Sequence, residues 1–125
     1  MLSVGIDLVE LKRISHAMKN PRFLSRVLGK SEYAQLQERG FPVESVAASF
    51  CAKEAFAKAM GTGVRGFSLK EVELYRAQNG APKLLLTGRA RRLSEERQLQ
   101  FAVSVTHTRE YASAVVIAQE GNGHE

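Results

Sequence analysis

Cysteine, proline and long apolar runs are all scarce in this chain, and each shortage removes a class of protein. One cysteine, Cys51, cannot close an internal disulfide, so a cystine-stapled secreted domain is excluded. Histidine is nearly as sparse, and with no Cys/His cluster there is no basis for structural zinc. The longest apolar pieces, such as Tyr111 to Ala118, fall well short of the roughly 18–20 residues that cross a bilayer. Met1 to Asp7 lacks a basic start followed by a sustained apolar stretch, and reads as a first strand, not a secretion signal. These shortages predict a cytoplasmic protein that does not enter a membrane. Repeats, low-complexity tracts and Pro/Ser-rich linkers are missing too. The 125 residues therefore read as a single domain over 1–120 with a disordered tail over 121–125.

Acidic side chains are absent from one long stretch. Between Lys12 and Lys30 stand Lys12, Arg13, Lys19, Arg22, Arg26 and Lys30 with no Asp or Glu, so much of the net charge of +5 gathers there. Such a surface speeds encounter with an acidic partner. A plain solvated face and a nucleic-acid patch have the same composition. Aromatic residues do not alternate with these charges, which argues against single-stranded nucleic acid in particular.

What is present is a clear alternation of periods. Ser3 to Val9 is patterned as a strand, and Glu10 to Met18 shifts to helical spacing with Leu11, Ile14 and Met18 on one side. Asn20-Pro21 predicts a short helix over 21–28, and Ser31 a further one to about Arg39, closed by Gly40. The longest helix is expected from Glu44 or Ser45 through Met60, ended by Gly61-Thr62-Gly63. Leu69 to Tyr75 and Lys83 to Thr87 predict a hairpin around Asn79-Gly80. Arg89 to Gln98 reads as a charged helix, and Phe101 to Val105 and Tyr111 to Ala118 as a second antiparallel hairpin.

Three places can carry chemistry. On the long helix, Glu54 and Lys58 are four residues apart and face the same way, a metal-seeking anion beside a phosphate-seeking cation; the same spacing also makes an ordinary surface pair. Asp7 lies between Ile6 and Leu8, where a carboxylate must be paired, metal-bound or turned to solvent. Two converging carboxylates suit Mg²⁺, which fills its other positions with water and substrate phosphate. His107, between Thr106 and Thr108 at a strand end, can donate to a phosphate oxygen or simply close a hairpin. Gly61 to Gly66 follows a helix instead of opening one, so it is no P-loop, and Arg65 within it is a phosphate-contact candidate. Cys51 reads as a small buried side chain. Two carboxylates with a lysine and a histidine would also suit attack of water on a phosphodiester.

Gly5-Ile6-Asp7 with Arg13, Phe50 to Gly63 with its Lys53-Glu54-Ala55 and Lys58-Ala59, Asn79-Gly80-Ala81-Pro82, and Val103 to His107 followed by Ala112 form one collinear pattern from Val4 to Ile117. That pattern resembles the holo-acyl-carrier-protein synthase family, the short class of 4′-phosphopantetheinyl transferases. The resemblance implies an α+β fold with a long central helix packed on an antiparallel sheet. It implies transfer of 4′-phosphopantetheine from coenzyme A to a serine of acyl carrier protein, releasing 3′,5′-ADP, in support of fatty acid biosynthesis. Asp7 and Glu54 would hold Mg²⁺, with Glu54, Lys58 and His107 catalytic. Lys58, Asn79, Gly80, Pro82, Thr106, His107 and Thr108 would bind coenzyme A, and Arg13, Arg22 and Arg26 would dock the acidic carrier. A homotrimer with active sites between subunits is implied as well, with neither nucleic acid nor membrane as partner. The base that takes the serine proton is left open between Glu54 and a metal-bound water. In one respect the chain departs from the family: an arginine commonly precedes the phenylalanine of the central motif, and here that position is Ser49, so that nucleotide-phosphate affinity either comes from another cation, with Arg65 and Lys53 as candidates, or is weaker.

Overall fold

In a computed structural model, which describes residues 1–61 and 66–121, the strand and helix periods of the sequence become the elements of an α+β fold. The chain runs β1 (Leu2–Glu10), α1 (Leu11–Ala17), α2 (Phe23–Val27), α3 (Lys30–Glu38) and α4 (Val43–Met60), followed by β2 (Val72–Arg76), β3 (Pro82–Leu86), α5 (Gly88–Glu96), β4 (Leu99–His107) and β5 (Tyr111–Glu120). β1, β5 and β4 form one antiparallel sheet in that order, with Asp7 opposite Ala114 and His107 opposite Ala112. β2 and β3 make a separate hairpin.

α4 is the centre of the molecule. Ala47, Ala48, Ala52, Ala55, Ala57 and Ala59 keep it slim, and the sheet meets it with Gly5, Ala112, Ala114 and Ala118, all buried. The approach is closest at Gly5, where a Cβ atom would fall 1.9 Å from the carbonyl oxygen of Ala55 and 2.6 Å from the nitrogen of Ala59. Phe56 fills the far end of the core with Phe67 and Phe101, at ring-centroid distances of 5.3 and 4.9 Å. Gly61 takes up the left-handed conformation at φ +77° and stops the helix.

The side of α4 turned from the sheet holds a buried ion pair. Lys53 and Glu32 are both 0 % exposed, and Nζ of Lys53 donates to Oε1 of Glu32 at 2.6 Å and to the carbonyl of Val72. Glu32 also accepts the N–H groups of Gly29 and Leu74, while Glu73 accepts the N–H of Glu32. Desolvation pulls the Lys53 ammonium below its ordinary value, and Glu32 works against that pull. This cluster fixes α3, α4 and β2 to one another.

Several boundaries differ from the sequence reading. Asn20 does not cap a helix at Pro21; its side chain accepts the N–H of Arg22 in a local turn, and α2 begins at Phe23. α3 starts at Lys30 because Glu32, drawn inward by Lys53, reaches back to the N–H of Gly29, a contact that displaces Ser31 as the cap. Leu69–Glu71 is a 3₁₀ turn and not strand. β4 continues through Thr106 and His107, both paired with β5, so the connection is only residues 108–110. Thr62, Gly63, Arg65 and residues 122–125 lie outside the described residues, and with them the expected end of the helix motif and almost all of the expected tail.

Candidate active site

Period two puts Asp7 on the same face of β1 as buried Gly5 and Val9, so it points at α4 and not at solvent. Opposite it, helical spacing stacks Cys51, Glu54 and Lys58 on one side of α4. Nζ of Lys58 donates to Oδ1 of Asp7 at 3.2 Å and to the carbonyl of Ile6 at 2.9 Å. The ion pair therefore runs across to the sheet, and no Glu54–Lys58 pair forms along the helix. Oγ of Ser113 donates to the carbonyl of Asp7 at 2.8 Å and steadies that stretch of β1 from β5.

Glu54 is half-buried, and its carboxyl is raised above the ordinary glutamate range, first by burial and then by the negative charge of Asp7, with Lys58 opposing. Cys51 is fully buried; its thiol lies 3.4 Å from the carbonyl of Ala112 and is pushed up to about 12, first by burial and then by Asp7. Ile6, Asp7, Leu8, Lys58 and Ser113 line an open hollow of about 450 Å³ beside these groups. The result is two oxygen-donor side chains and an ammonium at a solvent-accessible edge.

Among the described residues no three His, Cys, Asp or Glu side chains gather in one place as metal ligands. At this edge Asp7 and Glu54 are close enough for the charge of Asp7 to raise Glu54. Oxygen donors suit a hard cation, one or two carboxylates are what Mg²⁺ ordinarily takes, and the repulsion that raises Glu54 is what a dication would relieve. Cys51, held as a thiol, does not add a soft ligand.

His107 is elsewhere. It is exposed and lines a different hollow with Leu11, Val43, Glu44 and Thr108 at the start of α4. Glu44 is ten residues from Glu54, about 15 Å along the helix. Thr108 closes the β4–β5 turn by accepting the N–H groups of Glu110 and Tyr111, and Thr106 is exposed on β4. Asn79 and Gly80 form the β2–β3 turn, with Asn79 accepting the N–H of Ala81 and Gly80 at φ +86°, and Pro82 opens β3. Arg13, Arg22 and Arg26 are all exposed, on α1, ahead of α2 and in α2. The expectation that Lys53 replaces the missing arginine is overturned, because its ammonium is buried against Glu32. Arg65 is not among the described residues. Ser113 was not singled out by the sequence, where it is one small residue in an Ala-Ser-Ala strand.

Residues 3–116 match the sequence profile of the 4′-phosphopantetheinyl transferase superfamily. The chain is similar to the holo-[acyl-carrier-protein] synthase of Moorella thermoacetica, 39 % identical over 100 % of this chain and 99 % of that protein. The corresponding synthase of Chloroherpeton thalassium is 43 % identical over 94 % and 98 %. Among solved structures, holo-[acyl-carrier-protein] synthase from Neisseria meningitidis superposes with a TM-score of 0.88 at 32 % identity, covering 94 % of this chain and 98 % of the other. The Helicobacter pylori synthase, solved in complex with coenzyme A, superposes with a TM-score of 0.81 at 28 % identity over 93 % and 99 %.

Proposed function

Because the chain belongs to the 4′-phosphopantetheinyl transferase superfamily, we propose that Asp7, Glu54 and Lys58 form its transfer centre and that a neighbouring copy holds the nucleotide end of the same substrate. The protein transfers 4′-phosphopantetheine from coenzyme A to a serine of apo acyl carrier protein, giving holo carrier protein and 3′,5′-ADP in support of fatty acid biosynthesis. The observation that carries the site assignment is the convergence of Lys58 on Asp7 beside a raised Glu54.

Asp7 and Glu54 would hold Mg²⁺, which when bound supplies charge neutralisation of the pyrophosphate and polarisation of the phosphorus under attack. Lys58 offers an ammonium at the solvent edge. In the reaction, the serine oxygen forms a bond to the phosphorus next to the pantetheine arm as the bond from that phosphorus to the 3′,5′-ADP oxygen breaks. The departing phosphate gains negative charge, and an ammonium already held by Asp7 and the Ile6 carbonyl meets that charge without reorganising.

His107, Thr106, Thr108, Asn79, Gly80 and Pro82 are assigned to the nucleotide part of coenzyme A. The roughly 15 Å between Glu44, beside His107, and Glu54 favours a site completed by a second chain. The outer face of the sheet supports the same reading: Val4, Ile6 and Leu8 are each 63 % exposed, with Leu2 and Ile117 beside them. A contiguous apolar face of this kind marks an interface, and we assign it to a homotrimer. Arg13, Arg22 and Arg26 are assigned to docking of the acidic carrier. A cytoplasmic location accords with the single buried cysteine, and no described helix is long and apolar enough to cross a membrane.

Intact-mass spectrometry of an apo carrier incubated with coenzyme A, Mg²⁺ and the protein tests the proposal. The expected result is a phosphopantetheine mass gain that disappears on chelation and with Glu54→Gln in folded protein. Undiminished transfer by Glu54→Gln, or release of 3′,5′-ADP with no carrier present, would contradict it.

A further inference from the structure

The last turn of an α-helix leaves carbonyl groups that the helix cannot bond for itself, and in α4 their partners can be named. The carbonyl of Lys58 accepts the N–H of Gly61 at 3.1 Å, where the left-handed glycine closes the helix. The next two are met from outside. Oγ of Ser3, in β1, donates to the carbonyl of Ala59 at 2.7 Å, and Nη1 of Arg97, the residue that follows α5, donates to the carbonyl of Met60 at 3.0 Å. A strand and a second helix thus hold the end of α4 from two directions. Ser3 reaches it because period two sets it on the inner face of β1 with Gly5 and Asp7. Arg97 brings a cation to the end of α4 where the helix dipole is negative.

We infer that Ser3 and Arg97 are positioning residues for Lys58: by fixing the last turn of α4 they keep its ammonium at Asp7. The inference rests on the transferase reading above and deepens it. Of the three residues of the proposed transfer centre, only Lys58 lies in that turn. Glu54 stands six residues before Met60, about one and two-thirds turns inside the helix, and Asp7 is held by the pairing of β1 with β5 and by Ser113. Helix ends fray before their interiors do. The side chain of Lys58 is 55 % exposed, so packing does not fix it; its backbone anchor and its bonds to Asp7 and Ile6 decide where the charge stands. A shift of about 1 Å in a group that meets the reacting phosphate is enough to slow transfer severely.

The test compares the parent with Ser3→Ala, Arg97→Met and the two combined, by amide hydrogen exchange and by carrier modification. Exchange at the Gly61 amide should quicken in the combined variant while that of Ser49 to Glu54 stays as in the parent. Its kcat should fall about tenfold, with the Mg²⁺ concentration for half-maximal rate and KM for the carrier each within about twofold of the parent. Arg97→Lys, which keeps a cation beyond the helix end, should recover most of what Arg97→Met loses. In a Lys58→Met background the same substitutions should change the remaining rate by less than about twofold, whereas general damage to the fold would cost as much as before. The single variants, each losing about threefold, carry the same comparison should the combined variant not fold. A loss that recurs undiminished without Lys58, a shifted Mg²⁺ requirement without a fall in kcat, or an unchanged kcat would overturn the inference. A parent that modifies no carrier would overturn the reading beneath it.

Discussion

Lys58 pairs with Asp7 across the gap between helix and sheet, and Glu54 is left with a neighbouring negative charge and partial burial. A glutamate with a raised folded pKa contributes stability that is fully present below the ordinary glutamate value and is lost as pH rises through the raised one. In chelator, Glu54→Gln should therefore gain on the parent as pH rises from about 4 to 7, read as the difference in thermal midpoints. A parent that gains on the variant over this range would mean that Glu54 is stabilised by its surroundings. Transfer should fall at least about 100-fold in Glu54→Gln and in Asp7→Asn, with far-UV circular dichroism unchanged. Cys51 gives a separate check. Its thiol, pushed up to about 12, should resist iodoacetamide at pH 8 in the folded protein and react once denatured in urea; rapid alkylation without denaturant would contradict its burial. Its pKa shift contributes stability below about pH 9 that is lost between 9 and 12. The acid and the lysine were legible in the sequence from residue type and spacing. Their pairing was not, because the i,i+4 rule points Lys58 at Glu54 and says nothing of a strand that passes closer.

α4 is the element on which the site depends, and its position is set by glycine and alanine. Gly5→Ala would put a methyl group into the backbone of Ala55 and Ala59, and should cost about 3 kcal/mol, seen as a lower urea midpoint at unchanged slope. On the other side, Lys53→Met leaves Glu32 buried without its cation and should cost about 3–5 kcal/mol. Lys53→Met with Glu32→Gln should recover part of that loss. The length of α4 and its glycine stop could be read from its alanine-rich run. The inward turn of Lys53 could not: its partner Glu32 belongs to a separate helix, α3, and the pairing is set by how α3, α4 and β2 pack, which residue spacing within one helix does not reveal. That same hidden pairing moved the start of α3 from Ser31 to Lys30 and removed Lys53 from the list of phosphate ligands.

For the whole molecule, the proposal of a site shared between copies draws on two features: an outer sheet face carrying exposed Leu2, Val4, Ile6 and Leu8, and the placing of His107 and Lys58 in different hollows. The collinear motifs made the fold and activity legible, but a collinear order cannot say whether His107 meets Lys58 of its own chain or of another. On the proposed trimer, the parent should scatter at three times 13.8 kDa, and Ile6→Glu should shift it toward the mass of one chain and reduce transfer with it; an active monomer would contradict the shared site. The most direct measurement mixes two impaired variants, Glu54→Gln and His107→Ala, after partial denaturation and refolding together, and follows carrier modification by intact mass. If one chain supplies Asp7, Glu54 and Lys58 while its neighbour supplies His107, some mixed assemblies contain one intact site, and the mixture should be several-fold more active than the mean of its parts. Activity no greater than that mean, in assemblies shown to have exchanged chains, would contradict a site built from two copies.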